Sequence, residues 1–208
     1  MPLTNLQELT EAQRRGIWLK HRLDNALGRV NYSYFASQIL GYGRIANDPR
    51  NPGNFEQFND PRVQENLKYV GDVFTDWLVK RHDQESFRKV LVVQPRGTCK
   101  SATCTIPLPI WAHLHDSEMA AAIISATQDD MAKGKFGKAT RNTFEGKDPH
   151  SRLTDLYGTF APSGQGKEWR TDKMTTAKRL NIGRGDPTYL SLIHISEHTR
   201  QPAPSRMP

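Results

Sequence analysis

The stretch Val90-Leu91-Val92-Val93-Gln94-Pro95-Arg96-Gly97-Thr98-Cys99-Lys100-Ser101 decides how the rest of the chain is read. A short β-branched run such as 90–93 is what a strand buried on both faces of a parallel sheet looks like. The residues after it end like the phosphate-cradling pattern G-x-x-x-x-G-K-S/T. Two positions depart from that pattern: Gln94 stands at the first glycine, and Cys99 stands at the second, directly before the lysine.

A phosphate cradle is built from backbone N–H groups that converge at a helix N-terminus, so backbone conformation matters more than side-chain identity. Gly97 supplies one flexible position. Cys99 permits close backbone approach if its φ is negative and carries strain if the loop demands φ > 0. On this reading Gln94, Pro95, Arg96, Gly97, Thr98, Cys99, Lys100 and Ser101 form a nucleotide-binding loop for ATP. Lys100 contacts the β- and γ-phosphates as a mobile point charge, and the Ser101 hydroxyl ligates Mg²⁺. Arg96 joins Lys100 as a candidate catalytic group: its fork of donors can brace a phosphate or report on the γ-phosphate, or it can pair with a carboxylate elsewhere in the fold.

Downstream, Ala121-Ala122-Ile123-Ile124 reads as a second strand. Enough chain lies between the two for a crossover helix, so the segment reads as a βαβ unit and the class as α/β. Pro107 and Pro109 interrupt the helix expected from Lys100, which predicts a short helix kinked or ended near Ile106. Ile110, Trp111 and Leu114 then pack as a second piece. Ser125 and Thr127 follow the second strand, at the edge where open α/β sheets hold ligands. They can sense nucleotide state, or one of them can cap the next helix. Beyond Gln128 a polar helix carries Lys133, Lys135, Lys138 and Arg141, and 146–167 is rich in turn formers and reads as loop.

Upstream, Thr10-Glu11-Ala12-Gln13 has capping-box spacing and predicts a helix over 11–27, with Ile17, Leu23 and Leu27 on one face and Gly28 after its end. Arg14, Arg15, Lys20 and Arg22 make it basic, either as a solvated surface or as a nucleic-acid contact. Tyr32, Tyr34, Phe35, Ile39 and Leu40 form an apolar cluster that stops at Gly41, before the turn formers of 47–53. The clearest helix starts with Asp60 as N-cap and Pro61 in the first turn. It places Val63, Leu67, Val70, Phe74, Trp77 and Leu78 in one core-facing stripe.

Composition frames these elements. A chain of 208 residues with 36% apolar and 25% charged residues can bury one good core. Its 29 Lys+Arg against 22 Asp+Glu give a net charge of +7, which favours polyanionic partners without identifying one. The mean hydropathy of −0.69 and the absence of a long apolar run argue against a membrane span. Met1-Pro2-Leu3-Thr4 lacks the pattern of a signal peptide. Cys99 and Cys104 have no matching Cys or His pair and suggest neither a zinc site nor a disulfide framework.

Taken together, Tyr34-Phe35-Ala36, Ile39-Leu40-Gly41-Tyr42, a helix, and then Pro95-Arg96-Gly97 with Lys100-Ser101 resemble the ATPase half of the large terminase subunit of tailed phages. The resemblance runs through Trp111 and Ile123-Ile124-Ser125-Ala126-Thr127, and more weakly through Leu156-Tyr157-Gly158 and Trp169 to Arg179. It implies an incomplete RecA-like P-loop NTPase core with parallel strands over 89–189, preceded by an α-helical N-terminal region over 1–88. It further implies ATP and Mg²⁺ as cofactors and double-stranded DNA as substrate. The implied partners are a portal protein and a small terminase subunit, with a homo-oligomeric ring for the full-length motor in the cytoplasm of a phage-infected host cell.

The sequence contains no hydrophobic strand ending in Asp-Asp or Asp-Glu and no nuclease-type acidic cluster, so hydrolysis is expected to be slow and DNA cleavage absent. The run Leu190-Ser191-Leu192-Ile193-His194-Ile195-Ser196-Glu197-His198-Thr199-Arg200 resembles a translated sequencing adapter. Residues 190–208 are therefore set apart as a non-native tail, and the helical spacing of His194 and His198 is not read as a zinc site. The other readings are a P-loop NTPase of helicase or kinase type and a basic nucleic-acid-binding module without ATPase activity.

Overall fold

The computed structural model describes residues 10–45, 58, 60–79, 91–93, 99–125, 134–163, 168–180 and 188–193. Helix α1 spans Glu11–Val30 and opens with a complete capping box: the Thr10 hydroxyl accepts from the Gln13 N–H at 3.3 Å, and the Gln13 side chain accepts from the Thr10 N–H at 2.9 Å. It runs past Gly28 to end at Asn31. Of the apolar residues read as sharing one face, Leu27 is half-buried. Ile17 and Leu23 are exposed, whereas Asp24 and Gly28 point inward. Gly28 is needed for close approach, because a Cβ there would sit 2.2 Å from the Tyr157 hydroxyl.

The short helix α2, Tyr32–Tyr34, continues into a π-helical turn over Phe35–Ile39. Tyr32, Phe35, Ile39 and Leu40 are all buried, as the apolar cluster predicts. Gly41 then turns the chain with φ +83, where a Cβ would lie 2.2 Å from the His150 carbonyl oxygen. Helix α3 spans Tyr42–Ile45, and the turn formers of 47–53 lie outside the described residues. Helix α4, Pro61–Val79, buries Val63, Leu67, Val70, Phe74 and Leu78 of the expected stripe and leaves Trp77 half-buried, and Asp60 accepts the Arg62 N–H at 2.9 Å at its start.

The helix after Lys100 breaks where its prolines require. A π-helical turn covers Ser101–Thr105, and α5 starts afresh at Pro107 and runs to His115. Ile110 and Trp111 are fully buried. Strand β1, Ala121–Ser125, follows. Helices α6, Lys138–Phe144, and α7, Leu153–Tyr157, come next. The expected loop over 146–167 therefore contains a helix, because Leu153, Leu156 and Tyr157 are buried in the core with Phe160. Lys133 lies outside the described residues.

The sheet has three strands in the order β1-β3-β2, with β2 at Lys173–Met174 and β3 at Tyr189–Ile193. β3 runs parallel to β1, with Ala121 opposite Tyr189 and Ser125 opposite Ile193, and antiparallel to β2. Residues 190–193, on the far side of the boundary drawn from sequence, thus take part in the central strand. The strand expected at 90–93 does not. Leu91–Val93 carry no strand pairing among the described residues, and Leu91 and Val93 are 88% and 82% exposed. The parallel neighbour of β1 is β3 instead, so the crossover read from sequence is not the one in the sheet. Val90 lies outside the described residues.

One buried cluster joins Tyr32–Leu40 and α4 to Ala102–Ala112 and to Phe144–Phe160. Its polar tie is Asp24, which is 1% exposed and accepts from the Tyr34 hydroxyl at 2.6 Å and from Arg152 Nη1 at 2.5 Å. Burial alone would push this carboxyl up. The hydrogen bonds from Tyr34 and Arg152, with the charges of Arg152 and Lys20, outweigh it and hold the group below its ordinary value. Removing the acceptor strands the donors, and Arg152 is partly solvated, so Asp24→Ala is expected to cost about 2 kcal/mol. Thermal unfolding checks this, with an expected drop in midpoint of roughly 4–8 °C.

His113 on α5 supplies a second tie, with Nε2 2.7 Å from the Thr176 hydroxyl and its ring against Phe144 and Phe160. Burial, reinforced by the charges of Lys178 and Arg179, lowers its pKa from 6.5 to about 4; Asp116 and Glu118 oppose this. The folded state therefore binds fewer protons here than the unfolded state at pH between the two values. Its stability contribution is complete above pH 6.5 and is lost as pH falls towards 4. Urea unfolding at pH 7 and pH 4.5 is expected to show that loss, up to roughly 3 kcal/mol, and His113→Gln is expected to flatten it.

Candidate nucleotide-binding site

Of the loop read from sequence, Gln94, Pro95, Arg96, Gly97 and Thr98 lie outside the described residues, and Cys99, Lys100 and Ser101 are described. Cys99 has φ +54 and is, among the described residues, the one non-glycine in the left-handed region. This is the position at which the phosphate-loop pattern carries its second glycine, and the conformation there is the one that favours glycine. The backbone adopts the turn, and the side chain bears the strain.

Immediately after the turn the chain becomes helical. The Cys99 carbonyl accepts from the N–H groups of Ala102 at 2.8 Å and Thr103 at 2.9 Å. The first amides of a helix have no acceptor within it, which leaves those of Lys100 and Ser101 at the open end. Lys100 is exposed there and Ser101 is half-buried. The π-helical turn closes with a bond from the Ile106 N–H to the Ser101 carbonyl at 3.0 Å. Pro107, which has no N–H to donate, sits directly behind it.

Sequence reading missed what holds this helix start. The Tyr32 hydroxyl donates to the Thr103 carbonyl at 2.5 Å from a position far upstream, and the Thr103 hydroxyl donates to the Lys100 carbonyl at 3.3 Å. No spacing rule links residues so far apart, although the aromatic cluster that contains Tyr32 was legible. Burial pushes the thiols of Cys99 and Cys104 up, and for Cys104 the Thr103 hydroxyl and the nearby Lys100 charge oppose the rise. Both cysteines are free thiols.

Ser125 ends β1, whose main neighbour is β3, whereas the turn at 101–105 packs on α4 and α5. Thr127 lies outside the described residues. Among the described residues no three His, Cys, Asp or Glu side chains converge on a metal position. Just ahead of the loop, a groove of about 290 Å³ runs between Leu91–Val93 and α4, where Asn66 and Tyr69 interrupt walls formed by Val70, Val73 and Phe74.

No family model, curated protein or solved structure matches this chain. No described helix is long and apolar enough to cross a membrane.

The strain at Cys99 is measurable. A left-handed L-residue costs roughly 1–2 kcal/mol relative to glycine, and part of this is offset by the thiol's packing and by the unfolded-state entropy of glycine. Cys99→Gly is expected to raise the thermal midpoint by about 2–4 °C, and the β-branched Cys99→Val to lower it, each read by circular dichroism.

Proposed function

We propose that residues 94–101 form a phosphate-binding loop and that the chain carries the ATP-binding part of a viral DNA-packaging motor of the large-terminase type. The observation that supports this most directly is the left-handed backbone of Cys99 directly before Lys100-Ser101. A sequence match to a pattern can be accidental. A strained residue in the conformation that the pattern's glycine serves, followed at once by a helix start, is a physical reason for the match.

In this reading the amides of Lys100 and Ser101 face the phosphate tail, and the Lys100 ammonium neutralises the β- and γ-phosphates. The Ser101 hydroxyl would help to hold Mg²⁺, and Arg96, which lies outside the described residues, would brace a phosphate or report on the γ-phosphate. The nucleotide supplies the energy of phosphoanhydride cleavage. This chain's residues bind and orient it, and the sequence offers no hydrophobic strand that ends directly in Asp-Asp or Asp-Glu to position water. The wider assembly of the proposal is a homo-oligomeric ring with a portal protein and a small terminase subunit, acting on double-stranded DNA in the cytoplasm of an infected host cell.

Isothermal titration with ATP and Mg²⁺ tests the site. The unaltered chain is expected to bind, and Lys100→Ala to bind at least about tenfold more weakly, a loss of roughly 1.4 kcal/mol. Equal affinity in the two chains, or no heat from either at millimolar ATP, removes the proposal.

A further inference from the structure

Helix α1 has two sides with opposite fates. Its body-facing side holds Asp24 and Gly28, both buried, together with His21, 3.2 Å from the Asp155 carbonyl oxygen, and Asn25, which donates to the Leu156 carbonyl at 2.6 Å. The other side carries Ala12, Gly16, Leu19, Leu23, Ala26 and Val30, spaced alternately by four and three residues. That is the seam of a heptad helix pair. Every one of these residues is exposed, with Leu19 at 52%, Leu23 at 57% and Val30 at 62%.

The charges that border the seam select its occupant. One border is Arg15, Arg22 and Arg29, and the other is Gln13, Lys20 and Leu27. Arg22 lies along the helix, over the Trp18 ring at 4.9 Å, whereas Arg29 turns to the body, reaching the Leu114 carbonyl at 3.4 Å and lying over the Tyr157 ring at 5.3 Å, so the border charge that faces a partner is that of Arg15 and Arg22. A second copy of this helix would set arginine against arginine in an antiparallel pair and Arg15 against Lys20 in a parallel one, and both arrangements repel. Duplex DNA would satisfy the arginines and leave Leu19, Leu23 and Val30 in water. A helix with apolar seam residues and glutamates on its borders satisfies both requirements.

The geometry points to α1 as a docking helix for an acidic amphipathic helix of another protein, paired along the 12–30 seam. At 1.5 Å per residue this seam is about 27 Å long, enough for a coiled-coil contact of between two and three heptads. The inference is independent of nucleotide binding and requires none of residues 94–101.

The test uses the full chain and two labelled synthetic helices with leucine at the seam positions, one bordered by glutamate and its twin by lysine, with fluorescence anisotropy as the readout. The glutamate peptide is expected to bind, more weakly as salt rises, and the lysine peptide not to bind. Leu19→Gln/Leu23→Gln is expected to weaken binding by about tenfold or more. Arg15→Glu/Arg22→Glu is expected to transfer the preference to the lysine peptide. These positions are exposed, and unchanged helical circular dichroism confirms that the variants are folded. Failure of the glutamate peptide to bind, equal binding of both peptides, or indifference to the leucine variant overturns the inference. So does dimerisation of the chain through the same leucines in sedimentation, or binding of a duplex DNA oligonucleotide that needs the arginines alone.

Discussion

Tyr32 and Trp111 meet edge to face at 5.1 Å, and the arrangement of the helices depends on that contact. Trp111 Nε1 donates to the Gly28 carbonyl at 2.9 Å, which fixes α5 on α1. The Tyr32 ring stands against Phe74 of α4 at 5.6 Å, and its hydroxyl donates to the Thr103 carbonyl. Two aromatic side chains thus bury a large apolar area while their polar tips satisfy backbone carbonyls that would otherwise be stranded in the core. The close approach requires Gly28, since any side chain there would collide with Tyr157 and Ile39. Burial of the Tyr32 phenol pushes its pKa well up, so it remains a donor throughout the accessible pH range.

This hub also explains why a strained turn at Cys99 can persist. The helix start that follows is held from below by Tyr32 and by the π-helical turn, and its continuation is anchored by Ile110 and Trp111, both fully buried. A residue in a poorly populated conformation survives only when its surroundings over-determine it. Pro107 contributes as well: it ends the first helical piece, so the direction of Ser101–Thr105 is set separately from that of α5.

Two acidic groups, Glu145 and Asp24, play a similar fastening part. Glu145 at the end of α6 receives Arg141 at 2.8 Å, Lys147 at 2.6 Å and the Trp169 indole at 2.6 Å. Burial works against its charged form, but these three donors prevail and hold its pKa at about 2. Trp169 bridges to Met174, so this carboxylate joins α6 to the sheet. Asp24 does the same between α1 and Arg152, and Leu19, Leu23 and Val30 on the other side of α1 are exposed.

Local signals in the sequence determined the helices and the points at which they start or break. The Thr10 capping box, the Asp60-Pro61 start with its stripe, the aromatic run from Tyr32 to Leu40 and the break at Pro107 are all set by interactions within a few residues, and all were legible. The glycine-like demand at position 99 was legible as a condition, and the backbone supplied its sign. Tertiary structure alone decided which face of α1 is buried, because a polar anchor, Asp24 with Tyr34 and Arg152, outweighed an apolar stripe. It also decided that β3 lies beside β1 while Leu91 and Val93 face solvent. A β-branched run states only that a residue can pair, and the choice of partner depends on contacts between segments far apart in the chain, which no local pattern encodes.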